Sequence, residues 1–346
     1  MKKLLLLIVM AGITNLLSAQ TNTRLASGNW NVEAAWSLNV IPTSTHDVVI
    51  PTGLAVTVNT TANTKSIELQ GDASLTINSN LSFTNASTFG TNTTVNWSSG
   101  SLTGGGILTT EGIVNLIGAG SKYITGTTTL NNIGLINVLD ETQWYLSNSV
   151  INNMTDGIID FQSNSSITYT GSSSHIINNY GLIKKTTTEG TTSFIAQLIN
   201  HNGTIQVETG TLTLNNANTT LDSGTYNVSE DGSLNWNSTV FMTGTLTGEL
   251  TGGINWNGNV SVAEDTTATF NFTGANAVRW TAGSLVGGGT LENLSKINLT
   301  TATAKYITGA TTLNNIGLIN VLDGTQWYLS NSVINNMTDG IIDFQS

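Results

Sequence analysis

The chain has 346 residues, with 10 Lys and Arg against 21 Asp and Glu, no cysteine, two prolines and only 9% charged residues. Thr (58), Asn (43) and Gly (36) fill 137 positions, where soluble domains usually carry about a quarter charged residues; a charge-coated helical protein is excluded, and strands joined by turns are favoured. A net charge of −11 argues against nucleic acid, and the missing cysteines remove thiolate catalysis, zinc–thiolate sites, iron–sulfur clusters and disulfides.

Residues 1–20 read as a secretory signal. Lys2 and Lys3 precede the apolar run Leu4 to Ala11, and Ser18-Ala19-Gln20 closes the segment with small and polar residues. Gly12, Thr14 and Asn15 interrupt the run, so it is too short to span a bilayer. No second apolar stretch of spanning length occurs in the chain. The expected product is therefore exported, secreted or held at the outer cell surface, without a transmembrane span.

Residues 21–80 differ in character from residues 81–346. They hold Ser27-Gly28-Asn29-Trp30, Ala35-Trp36, Ile41-Pro42-Thr43 and Asp47-Val48-Val49-Ile50-Pro51-Thr52-Gly53, with both prolines, two of the eight tryptophans and His46. This order resembles the opening, G8-like segment of secreted Bacteroidetes β-helix surface proteins, in which a Gly-x-Trp start and a second Trp precede a Pro-Thr turn and an Asp-x-Val-x-Ile-Pro-x-Gly strand pair. The resemblance covers about 60 residues, and downstream it is one of repeat style. It implies an adhesin-like surface protein with an N-terminal cap over the first coils. Many such proteins end in a C-terminal sorting domain, and no such domain is recognisable here. The chain is expected to be a fragment of a longer product.

Residues 81–346 are built from repeats. Lys122 to Ser163 and Lys305 to Ser346 differ at only two positions, Thr127 against Ala310 and Glu141 against Gly324, at an offset of 183 residues. The likeness extends weakly upstream, where Val95-Asn96-Trp97 and Gly104-Gly105-Gly106 match Val278-Arg279-Trp280 and Gly287-Gly288-Gly289. Within the long unit, Ile/Leu-Asn-Asn/His patterns recur beside Gly134, Gly157, Gly181 and Gly203, and these glycines with Gly112 stand at intervals of 22, 23, 24 and 22. Between them stand short alternations such as Leu75-Thr76-Ile77, Ile205-Gln206-Val207 and Leu212-Thr213-Leu214, the period of half-buried strands.

Short strands at this spacing form either a series of antiparallel domains or a right-handed parallel β-helix, one coil per period. The near-constant period, the fixed glycine and the recurring Asn pairs favour the β-helix. Stacked Asn can form ladders, and low charge avoids repulsion between coils roughly 4.8 Å apart. Counting coils from about residue 54 gives about 13, a rod of roughly 60 Å. The triple glycines read as tight corners.

Candidate chemistry is sparse. Arg279 replaces the Asn96 of the other copy, and Lys184-Lys185 reads as a solvated face. Asp140-Glu141, Glu230-Asp231 and Glu264-Asp265 are adjacent pairs whose side chains point to opposite faces of a strand, poor dyads for the two-carboxylate geometry of a glycosidase. Asp156, Asp160 and Asp140 are the carboxylates that stacked coils could bring together. His46, His175 and His201 stand in unrelated contexts, and no calcium nonapeptide follows the triple glycines. No enzyme activity, cofactor or metal is expected. The aromatic residues Trp97, Trp144, Tyr145, Trp236, Trp256, Trp280, Trp327 and Tyr328 are the candidates for stacking on glycans, against the opposing reading that their period-two phase turns the tryptophans inward. The expected role is a structural or adhesive surface, with a carbohydrate-binding or carbohydrate-degrading module as the alternative. A Thr-rich ice-binding face is a third, since Thr211-Leu212-Thr213 and Thr245-Leu246-Thr247 have the right local pattern.

Overall fold

The computed structural model describes residues 20–171 and 174–345, so the segment read as a secretory signal lies, except for Gln20, outside the described residues. What is described is all-β: parallel strands stacked as a β-solenoid of about 15 turns, with a single three-residue 3₁₀ turn, Glu33–Ala35. Each turn contributes a strand to three faces. Ile107–Thr110, Ile113–Leu116 and Lys122–Thr125 make one such turn, and each pairs in register with its counterparts one coil before and after. At about 4.8 Å per coil the rod is roughly 70 Å long. It exceeds the expected 13 coils because the segment expected to be a cap is itself coiled: Gln20–Thr23 and Gly28–Asn29 pair with His46–Ile50 and Ala55–Val58.

The period-two pattern decides which side chains go inward. Leu75, Ile77, Val95, Trp97, Val114, Leu116, Ile136, Val138, Ile159 and Phe161 line the interior behind the second face, while the intervening Thr76, Asn96, Asn115 and Asn137 point outward. At the N-terminal end, Trp30 and Trp36 are buried edge to face with centroids 4.8 Å apart. The Arg24 guanidinium lies 4.8 Å above the Trp36 ring and donates to the carbonyls of Ala26 and Asn29. Burial holds this guanidinium below its ordinary pKa. Aromatic and cation–π contacts thus fill the N-terminal end of the apolar interior.

The corner after the first face explains the Asn-and-glycine repeat. Asn132, Asn153, Asn179 and Asn200 are fully buried there. Each donates its Nδ2 to the Oδ1 of the next, at 2.8, 2.8 and 2.7 Å, and the ladder ends on the Tyr226 hydroxyl at 3.0 Å. Burial raises the Tyr226 pKa well above its usual value, so the phenol stays protonated. Gly134 turns the chain beside this ladder where a Cβ would collide with the Gly112 and Glu111 carbonyls. Glycine is required there by close approach of stacked backbones. The triple glycine Gly104-Gly105-Gly106 is a corner between strands, with Gly104 and Gly105 at positive φ.

Candidate functional site

The predicted stacking residues divide by phase. Trp97, Trp144, Trp236, Trp256 and Trp280 are at most 1% exposed and Trp327 packs partly buried on the same core. The first five are corrected as sugar platforms: each shares its strand parity with buried aliphatic neighbours and cannot reach a ligand outside, while Trp327 keeps part of its surface exposed. Trp256 and Trp280 stack at 4.1 Å, whereas Trp97 meets Trp144 edge to face at 6.4 Å. Tyr145 and Tyr328, one residue out of phase, do face outward. Tyr145 stacks on Tyr123 at 4.8 Å and donates to Gln143; Tyr328 stacks on Tyr306 at 5.3 Å and donates to Gln326.

Much of the remaining exterior is ladders of amides and hydroxyls. Asn96, Asn115, Asn137 and Gln162 are linked amide to amide at 2.9–3.2 Å. Asn131, Asn152 and Asn178 form a second row, each contact 2.8 Å. The histidines stay apart. His46 accepts from the Thr43 amide at 2.9 Å, His175 stacks on Tyr169, and His201 stacks on Tyr180 with Asp222 3.9 Å away.

Carboxylates do not converge. Within the strands, Asp47, Glu68, Asp160, Asp222, Glu292 and Asp343 all have non-acidic register neighbours, as expected where like charges on adjacent strands repel. Asp160 lies between Asn137 and Lys184 and pairs with the Lys184 amine at 3.3 Å, away from the exposed turn at Asp156. Among the described residues no group of three His, Asp or Glu is placed to hold a metal ion. A surface pocket of about 320 Å³ near Phe272 and Ile341 is bordered by one amine, Lys296, and one carboxylate, Asp339. That set lacks the second carboxylate of a glycosidase.

Lys184-Lys185, read as a solvated pair, is split by the strand's alternation. Lys184 points outward, whereas Lys185 is fully buried and donates to Ser163 O (3.1 Å), Asn164 Oδ1 (3.3 Å) and Thr188 Oγ1 (2.8 Å). Lys122 and Lys305 are buried too. Lys122 reaches Asp140 at 2.5 Å, while Lys305 donates only to Thr300 O, Thr301 Oγ1 and Thr303 O. Burial lowers the pKa of Lys185 and Lys305. The signal for all three was present in the sequence: Lys185 shares parity with Ile183, Lys122 with Ile124, and Lys305 with Ile307.

No protein-family model matches the chain, and neither the curated proteins nor the solved structures include one similar to it. No helix among the described residues is long and apolar enough to cross a membrane.

Proposed function

We propose that the chain is an exported, non-catalytic solenoid serving as a rigid stalk or adhesive surface that presents Thr, Asn and Ser to glycans or other cell surfaces. The observation that supports this most is the division of side chains: a closed apolar interior, and an exterior of stacked amides such as Asn96–Asn115–Asn137–Gln162. Backbone ladders on three faces make the rod stiff, and one coil differs little from the next in what it offers. The charged signal-like N-terminus and the G8-like segment support export. Antibody labelling and protease shaving of intact cells, with beads coated in the chain tested for adhesion to glycan surfaces, would test the reading. Surface label with adhesion is expected. Label confined to the cell interior, or release of cleaved sugars from a polysaccharide, would overturn it.

The outward pairs Tyr123–Tyr145 and Tyr306–Tyr328 favour one particular mode of display, in which sugar rings lie on stacked phenols. Tyr145→Ala with Tyr328→Ala should then weaken binding on a glycan array several-fold without lowering the unfolding midpoint. Unchanged binding would discard this mode.

A further inference from the structure

Lys185 and Asn164 lie one coil apart at a corner behind the second face. The Lys185 amine is sealed from water, and its three hydrogen-bond partners are neutral: Ser163 O, Thr188 Oγ1 and the Asn164 amide oxygen at 3.3 Å. The neighbouring Lys184 takes the nearby carboxylate, Asp160. An ammonium buried without a counter-ion is costly, so burial favours loss of a proton from this amine, in line with the direction in which it moves the group.

The amide opposite is held from several sides. Its oxygen also accepts from the Thr188 hydroxyl at 2.8 Å, and its nitrogen donates to the Glu141 carboxylate at 3.3 Å. Gly190 packs flat on it: a Cβ there would sit 2.5 Å from the Asn164 Cγ, Oδ1 and Nδ2 alike. Nucleophile, carbonyl carbon, oxyanion donor and a carboxyl on the departing nitrogen are thus assembled in one half-dry corner, the elements of an acyl transfer.

We propose that Lys185 and Asn164 form an intramolecular isopeptide bond that staples two adjacent coils. The Nζ lone pair attacks Asn164 Cγ, and the carbonyl pair moves onto Oδ1, where the Thr188 hydroxyl donates to it. Collapse forms the Nζ–Cγ amide, breaks the Cγ–Nδ2 bond and releases ammonia. Nζ loses one proton and the departing nitrogen gains one; Glu141, hydrogen-bonded to Nδ2 and open to solvent, is the group placed to deliver the latter. No oxidant or co-reactant is needed. The other two buried lysines lack this arrangement: Lys122 meets a carboxylate, and Lys305 donates to backbone carbonyls and one hydroxyl.

Mass spectrometry of the purified chain tests this. Loss of one ammonia, about 17 Da, and a branched peptide joining Asn164 to Lys185 after digestion are expected. Both should be absent in Lys185→Met and in Glu141→Gly. The second substitution installs the residue that Gly324 supplies in the other copy, so the block accepts it. A free Lys185 in the native chain would overturn the proposal, whether the mass is undiminished or the same loss is traced to cyclisation of Asn164 onto Ser165. A branch persisting in Glu141→Gly would overturn the role given to Glu141.

Discussion

The segments beginning at Lys122 and Lys305 carry almost the same 42 residues yet occupy different faces of the rod. In the first copy Lys122–Thr125, Thr129–Asn132 and Leu135–Val138 lie on the third, first and second faces. In the second, Lys305–Thr308, Thr312–Asn315 and Leu318–Val321 lie on the first, second and third. The 183-residue offset spans eight full turns and one additional strand, which rotates the unit by one face. Local packing survives the rotation. Trp280 meets Trp327 at 6.4 Å and 86°, the same values as Trp97 and Trp144. Asn315 donates to Asn336 at 2.8 Å, as Asn132 does to Asn153. The sequence therefore encodes strand, corner and neighbour, while the face is set by the strand count before it. What the copies do not share is supplied by neighbouring coils: Phe161 is fully buried and its counterpart Phe344 is 72% exposed, because Phe161 has Lys185 above it and Phe344 lies in the last described strand.

The largest expected difference between the copies lies at the paired lysines. Lys122 and Asp140 form a buried ion pair at 2.5 Å, whereas Asp323 turns to the Thr301 amide and leaves Lys305 without a carboxylate. Removing one member of a buried pair strands the other, at about 3–5 kcal/mol. Lys122→Met should therefore lower the urea midpoint far more than Lys305→Met, which forfeits only hydrogen bonds to neutral acceptors at about 1–3 kcal/mol. Equal losses would mean that the Asp140 contact contributes little.

Next comes the Asn ladder. Asn153→Ala removes an acceptor from Asn132 and a donor from Asn179, both buried. With each orphaned group costing about 1–3 kcal/mol, the total should be about 2–6 kcal/mol, and amide exchange should accelerate first around Gly157 and Gly181. Asn315→Ala should act in the same direction around Gly340, one face away, but less, because its acceptor Asn336 is exposed.

A smaller effect, opposite in sign, distinguishes the copies. Asn132 Oδ1 at the start of the first ladder is buried without a partner, as is Thr110 Oγ1 on the preceding coil. The second copy has Asn293 at the place of Thr110, and Asn293 donates to Asn315 at 2.8 Å. Thr110→Asn should extend the first ladder and stabilise by about 1 kcal/mol, with Asn293→Thr destabilising by about as much. Calorimetric midpoints of the two variants check both signs, and two shifts in the same direction would contradict the match.

Much of this was legible in the residues. The Asn pairs and their glycines marked a stacked corner, and the alternation fixed which tryptophans turn inward. The same alternation also buried Lys122, Lys185 and Lys305, although composition alone reads a lysine pair as solvated. The face could not be read locally, because it accumulates over every corner. Thr219–Val228 and Val240–Glu249 run through the first corner as continuous strands, with a register shift between Asp222 and Gly224. The partner of a buried lysine was hidden for a related reason: Gly118-Ala119-Gly120-Ser121 leads into one copy and Thr301-Ala302-Thr303-Ala304 into the other, and these loops decide what the amine meets.

The subtlest consequence is a pH slope. Burial lowers the pKa of Lys305 from the usual 10.5, so between its folded and unfolded values the unfolded chain binds more protons. Stability then rises with pH across that window. The penalty of burying the ammonium is present in full below the folded pKa and vanishes as pH passes 10.5. Lys305→Met carries no proton in either state and should flatten the part of the curve of unfolding midpoint against pH that lies just below 10.5. A slope unchanged by Lys305→Met would assign it to another group.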